Sequence, residues 1–341
     1  MRLASLNLEG DLFRAVFLIA VCVAPCAFPN AFPDAFPNAF AGAQAGDSRP
    51  RVKAGDSLFE SPQLSDDFCF PSTQAAYIHA TFPVKQTKSN SEVLPNGLLY
   101  RSYIAGPKES RMSSVASYDI SQKAWRWDAA LGGRVGLFRR DQPDFLNLDA
   151  WQIDLEGAVM TRLDPQQHMD VESADYRFGL QWTGKQDDWA FKFGYFHMSS
   201  HVGDEYLLKN PTFERVNFVR ESLVFGTSLQ ATQQLRYYGE VAWATSVKGG
   251  AKPWQFQLGA EYAAIAELPT RGAPFSAVNV QLREEVDFAA GVTAMTGWQW
   301  TGPESGRTMR VGLQYYNGPS TQYEFFRRYD NQLGFGIWYD Y

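Results

Sequence analysis

Hydrophobic and polar residues alternate along most of the chain from about Arg111 onward. Across 254–264 the even positions hold Trp254, Phe256, Leu258, Ala260, Tyr262 and Ala264, and the odd ones Gln255, Gln257, Gly259, Glu261 and Ala263. Across 309–316, Met309, Val311, Leu313 and Tyr315 alternate with Arg310, Gly312, Gln314 and Tyr316. Successive side chains of a strand leave by opposite faces, so each run predicts a strand with one apolar face. Similar patterns cover 151–161, 176–182, 217–229, 235–245 and 286–300. In all there are about twelve such runs, each long enough for a tilted strand to cross a bilayer.

A soluble β-sandwich also has apolar-in, polar-out strands. Two features favour a membrane barrel. The less apolar faces carry Gly and Gln as well as charges, as a barrel lumen does, with Gln255, Glu261, Arg236 and Glu240 as lumen candidates. The chain also ends LGFGIWYDY, with Leu333, Phe335, Ile337, Tyr339 and Tyr341 on one face. That ending resembles the terminal-strand signal by which bacterial outer-membrane barrels are recognised for assembly, which makes the barrel assembly machinery an expected partner. The predicted fold is all-β, a transmembrane antiparallel β-barrel of about twelve strands over residues 101–341. An even strand number puts both chain ends in the periplasm. The connection 201–215 is then extracellular and the turn near Thr232 periplasmic, with 267–274 a long periplasmic turn.

Composition narrows the picture further. The net charge of −6 over 341 residues argues against a nucleic-acid surface held through phosphates. Aromatics make up 15%, which fits interfacial girdles, and the mean hydropathy of −0.31 excludes a helical membrane protein. Arg14 precedes an apolar run over 15–27, too short for a comfortable spanning helix. The repeat AFPN-AFPD-AFPN-AF follows, then small residues at Ala41 to Ala43 and Ala45. Residues 1–45 therefore read as a cleaved export signal with a proline-rich tail, and 46–100 as a polar periplasmic linker with a short element near 75–82. Pro25 before Cys26 argues against a lipoprotein. If Cys22 and Cys26 leave with the signal, Cys69 remains alone and no disulfide framework exists.

The most distinctive stretch is WAFKFGYFHMSSHVGDEY, 189–206. Its odd positions place Trp189, Phe191, Phe193 and Tyr195 on one face with His197, Ser199 and His201. Residues two apart on a strand face have Cα atoms about 6.5–7 Å apart, so His197 and Ser199 are within side-chain reach. Asn217 shares parity with Leu223 and Phe225 of the next run; a symmetric connection sets it opposite Ser199 and diagonal to His197. A nucleophile, a base and an amide to orient the base then meet on the outer surface. The bland alternative is a polar strand end meeting headgroups and water. Arg215 and Arg220 are candidates to clamp lipid phosphates, and Asp204 and Glu205 to bind Ca²⁺. His197 and His201 lie about 13 Å apart on a straight strand, too far to share one ion.

This constellation resembles outer-membrane phospholipase A, a twelve-stranded barrel family using His-x-Ser followed by Asn on the next strand; lipid A deacylases also use His-x-Ser. The resemblance implies His197 as general base, Ser199 as nucleophile, Asn217 as orienting partner, outer-membrane lipid as substrate and Ca²⁺ as cofactor. Where the phospholipases continue Ser-Asn-Gly, this chain has Ser199-Ser200-His201. Over 197–205 and the RxNFxR run 215–220, the chain resembles a domain-of-unknown-function family of exported bacterial proteins. Two functions follow: a lipid acyl hydrolase with an outward dyad, or a non-enzymatic barrel, in one form a narrow pore.

Overall fold

The computed structural model describes residues 91–141 and 148–341. The export signal, the repeat, the three cysteines and the element near 75–82 lie outside the described residues. Among the described residues thirteen strands form one sheet. β1 (Ser91–Val93) pairs only with the far end of β3 (Ala124–Arg140). The other twelve strands close on themselves: β2 (Met112–Asp119), β3, β4 (Ala150–Asp164), β5 (Asp170–Gln186), β6 (Trp189–Val202), β7 (Val219–Gln230), β8 (Leu235–Lys248), β9 (Trp254–Ala263), β10 (Ala273–Arg283), β11 (Ala290–Thr301), β12 (Thr308–Pro319) and β13 (Tyr329–Asp340). Every neighbouring pair is antiparallel, and β13 pairs with β2 to complete the ring. Closure leaves the ring without a free edge, the condition for strands to span a membrane.

Burial follows the dyad pattern. Leu131, Phe178, Leu180, Phe193, Phe225, Leu258, Leu313, Leu333, Phe335 and Ile337 are exposed on the outside. Arg236, Gln255 and Glu261 are buried inside, and Glu240 pairs there with Lys192 at 2.5 Å. Apolar-out, polar-in is the order of a transmembrane barrel. Trp151, Trp189, Tyr237, Tyr262, Trp298 and Tyr341 mark one rim, and Trp125, Tyr176, Trp243, Trp254, Tyr315 and Tyr329 the other, as two aromatic girdles.

The turns explain themselves locally. Asp187 and Asp188 join β5 to β6, with Asp187 at φ 51°, a left-handed geometry Asp tolerates better than most residues. Gly249 and Gly250, at φ 65° and 82°, turn β8 into β9; a Cβ on Gly249 would lie 2.2 Å from the Val216 carbonyl oxygen. At the rim where the chain enters and leaves the barrel, the turns include 187–188, 231–234 and 264–272. The opposite rim carries 203–218, 249–253, 284–289 and 320–328. The long connection after β6 and the one near Thr232 thus lie at opposite ends, and 264–272 is the long turn expected on the N-terminal side.

Residues 91–100, read in the sequence as linker, instead contribute β1 and part of a segment that enters the lumen. Along 94–111, Tyr100, Tyr103, Ile104, Lys108 and Arg111 are all buried. The Tyr103 ring stacks on Tyr238 at 3.8 Å, and its hydroxyl donates to Glu240 at 3.0 Å. The Ile104 N–H donates to Glu261 at 2.6 Å, and Arg236 donates to the Arg101 carbonyl at 2.9 Å. From the other end, 320–328 folds inward with Tyr323, Glu324, Phe325 and Phe326 buried. The two segments thus occupy the lumen from opposite ends.

Candidate functional site on the outer face of β6 and β7

β6 and β7 carry the cluster because their outward positions are aromatic or aliphatic except near the rim. Outward from β6 come Trp189, Phe193 and Tyr195, then His197, Ser199 and His201; outward from β7 come Phe225, Leu223 and Glu221. The register sets Tyr195 against Leu223, His197 against Glu221 and Ser199 against Val219. His197 Nδ1 lies 2.7 Å from Glu221 Oε1, and the Tyr195 hydroxyl donates to the other carboxylate oxygen. With Nδ1 engaged, Nε2 is the nitrogen left for Ser199, two residues along the same face. Among the described residues no hydrogen bond joins Ser199 to His197; such contacts commonly tighten only when substrate is bound. Ser199 is 9% exposed, set between Tyr176 of β5 and Val219 of β7. The exposed His201 meets the Tyr176 ring edge-on at 5.7 Å.

A bulge sits beside the carboxylate. Glu221 pairs with Ser246 but Ser222 with Ala244, so Thr245 is the extra residue of β8. Its hydroxyl donates to the Glu221 carbonyl at 3.2 Å. Bulges next to functional sites re-aim side chains, and this one lies at the residue holding the imidazole.

Asn217 does not reach the position expected of it. The ladder is offset by two residues from the symmetric estimate, so Val219 and not Asn217 faces Ser199. Parity was read correctly, but a long connection leaves a two-residue shift undetermined. Asn217 is exposed, precedes β7 at φ 50°, and its N–H donates to Glu324 at 3.2 Å. The group beside the base is Glu221, which the sequence reading passed over. Its signal was available: Glu221 shares parity with Leu223 and Phe225, an acid on an otherwise apolar face.

Arg220 is corrected as well. It has the opposite parity, is fully buried in the lumen, and donates to Ser222 at 3.1 Å, Gln255 at 2.9 Å and the Pro253 carbonyl at 3.0 Å. It cannot touch a lipid phosphate. Arg215 is half exposed and lies 3.7 Å from Asp204, which is 91% exposed, on the connection carrying α1 (Asp204–Lys209). Glu205 is exposed on the same short helix. Among the described residues no group of three or more His, Cys, Asp or Glu side chains gathers as an ion site.

Behind the site, inside the barrel, Ser200 donates to Asp175, which also pairs with Lys108 and accepts the Tyr323 N–H at 3.2 Å. Burial pushes the Lys108 ammonium below its ordinary pKa, with Asp175 opposing the shift, and pushes the Tyr323 phenol up.

The closed ring, its apolar exterior and polar filled interior define a transmembrane β-barrel of the outer-membrane kind, carrying an ionisable cluster on its lipid-facing wall. The chain belongs to the family described as protein of unknown function (DUF1207), whose model matches residues 60–341. No curated protein matches it. Among solved structures it is similar to outer-membrane phospholipase A from Escherichia coli, at 10% identity over 69% of this chain and 91% of that one, with a TM-score of 0.45. The calcium-bound phospholipase dimer of Salmonella typhi gives 10% identity, 70% and 94% coverage, and a TM-score of 0.43. The NanC porin gives 10%, 67% and 100%, and 0.39. These are likenesses of barrel architecture.

Proposed function

We propose that the protein is an outer-membrane lipid acyl hydrolase in which Ser199 is the nucleophile, His197 the general base and Glu221 the carboxylate that orients the base. The observation that carries this reading is the lipid-facing position of the bonded His197–Glu221 pair, two residues from Ser199. A charge on the lipid face of a barrel costs stability, most at the midplane and about 0–1 kcal/mol near the interface, where this pair lies. Stability alone therefore gives no reason to keep an acid there, and ionisable groups facing lipid are functional by default.

In the reaction, His197 Nε2 takes the Ser199 proton as Oγ attacks an acyl ester carbonyl, and Glu221 stabilises the imidazolium. The imidazolium then protonates the departing alcohol, and a water activated by the same base releases the fatty acid from Ser199. Phe193 and Tyr195 below the dyad border the acyl chain. The substrate is an acyl ester of the outer leaflet, a glycerophospholipid or lipid A, reached by a protein exported through a cleaved 1–45 signal and inserted by the barrel assembly machinery. No step runs through calcium.

The test is fatty-acid release by purified protein in mixed micelles, offered phospholipid and lipid A in turn. Residues acting as a unit are non-additive, so Ser199→Ala, His197→Ala and the double variant lose nearly the same activity. Release that Ser199→Ala leaves unchanged, or none from either lipid, returns the protein to the non-enzymatic reading.

A further inference from the structure

We infer that Glu324, Ser200, Asp175 and Lys108 form a clasp inside the barrel that holds the outward site in register, so that Ser199, His197 and Glu221 stay aligned while residues 94–111 occupy the lumen. The kinetic part of this inference rests on the hydrolase reading; the structural part does not.

The clasp is a closed circuit. The Glu324 carboxylate accepts three successive backbone N–H groups, Val216 at 2.6 Å, Asn217 at 3.2 Å and Phe218 at 3.5 Å. The left-handed Asn217 makes those N–H groups converge, as successive amides do in an anion-binding nest. Phe218 returns through its carbonyl, which accepts the Ser200 N–H at 2.9 Å, and Ser200 Oγ accepts the Glu324 N–H at 2.8 Å. Phe218 also stacks on Tyr323 at 4.9 Å. From this circuit the Ser200 hydroxyl reaches Asp175, and Asp175 reaches Lys108 of the lumen segment, with side chains 0% and 5% exposed.

The site needs such a device because its connection is long. Burial of one face rules out a one-residue slip, which would turn every side chain of β7 over. A two-residue slip keeps the same face outward and escapes that penalty. It would bring Asn217 opposite Ser199 and Val219 opposite His197, and would carry Glu221 to Tyr195. A connection spanning 203–218 imposes little register of its own. The clasp supplies it, because Ser200 and Phe218 are the paired residues next to Ser199 and Val219, and Glu324 grips Phe218 and its two predecessors. Glu324, Asp175 and Lys108 touch no substrate; they are positioning residues, and the lumen segment anchors them.

The experiment uses the full chain in lipid micelles and reads two quantities. Lys108→Met and Glu324→Gln are expected to speed amide exchange at 216–218 and 199–201 by roughly tenfold or more, with β11 amides unchanged. On an acyl ester substrate both lower kcat by a similar factor at unchanged KM, and Lys108→Arg, which keeps the charge, restores it. Should Lys108→Met not fold, Ser200→Ala cuts the same circuit while leaving Lys108 paired. Unchanged exchange at 216–218 overturns the clasp, as does faster exchange with unaltered kcat. Exchange that responds in a protein whose wild type releases no fatty acid keeps the register device and removes the hydrolase.

Discussion

His197 and Glu221 stand directly opposite one another on β6 and β7, with the imidazole Nδ1 2.7 Å from the carboxylate. An acid in this position fixes the tautomer that leaves Nε2 as the acceptor toward Ser199. Glu221→Ala is therefore expected to lower kcat for ester hydrolysis by roughly 10⁴-fold, the loss seen when the orienting acid of a triad is disabled. Asn217→Gly, which removes the side-chain amide but keeps the left-handed backbone that presents its N–H to Glu324, is expected to leave kcat within roughly twofold. Steady-state rates of the two variants decide the matter, and a larger loss at Asn217 would reinstate the amide as the orienting group.

The register is testable by covalent trapping. Ser200 and Phe218 are a hydrogen-bonded pair, so Ser199 and Val219 form the adjacent close pair of the ladder, whose Cα atoms lie about 4.5 Å apart. Ser199→Cys with Val219→Cys is expected to oxidise to an intrachain disulfide, and Ser199→Cys with Asn217→Cys to resist it. Gel mobility before and after reduction reads the result, and crosslinking of the second pair alone would mean the ladder is shifted by two.

That shift also marks how far the sequence could be read. Alternation identified the barrel and the outward face of Tyr195, His197 and Ser199, because period two is a local property of each strand. The same parity argument, applied to Leu223 and Phe225, would have turned Arg220 inward and Glu221 outward. Cross-strand register across a long connection is not local, and Asn217 was misplaced for that reason. The lumen segment escaped notice for a different cause. Tyr100, Tyr103 and Lys108 have no strand or helix period, and their burial depends on partners far along the chain such as Tyr238, Glu240 and Asp175.

The two arginines once paired as lipid clamps now separate. Arg220→Ala removes a buried guanidinium that bonds Ser222, Gln255 and the Pro253 carbonyl, stranding those partners. Hydrogen bonds to a charged group contribute about 1.5–3 kcal/mol, so the heat-modification midpoint is expected to fall by roughly 5 °C or more. Arg215→Ala breaks one exposed pair at 3.7 Å and is expected to move the midpoint by less than about 2 °C. Seminative electrophoresis over a temperature series measures both.

The last prediction concerns which rim faces outward. The rim bearing the connection 203–218 also carries the inward-folded 320–328, while the rim where the strands begin and end has the tight turns at Asp187–Asp188 and 231–234 beside the longer 264–272. In outer-membrane barrels the short turns and both termini are periplasmic, and the longer loops face outside. The site lies close to the long-loop rim, since Ser199 is three residues from the end of β6 at Val202. An outward rim would thus set Ser199 and His197 at the level of the outer-leaflet acyl esters. A tag inserted after Lys209, at the end of α1 where Leu208 is 83% exposed, leaves the ladder untouched and is expected to bind antibody on intact cells. A tag replacing 231–234 is expected to bind only after the outer membrane is permeabilised. The reverse pattern would put the dyad against the inner leaflet, where phospholipid remains available but lipid A does not, and would narrow the substrate to phospholipid.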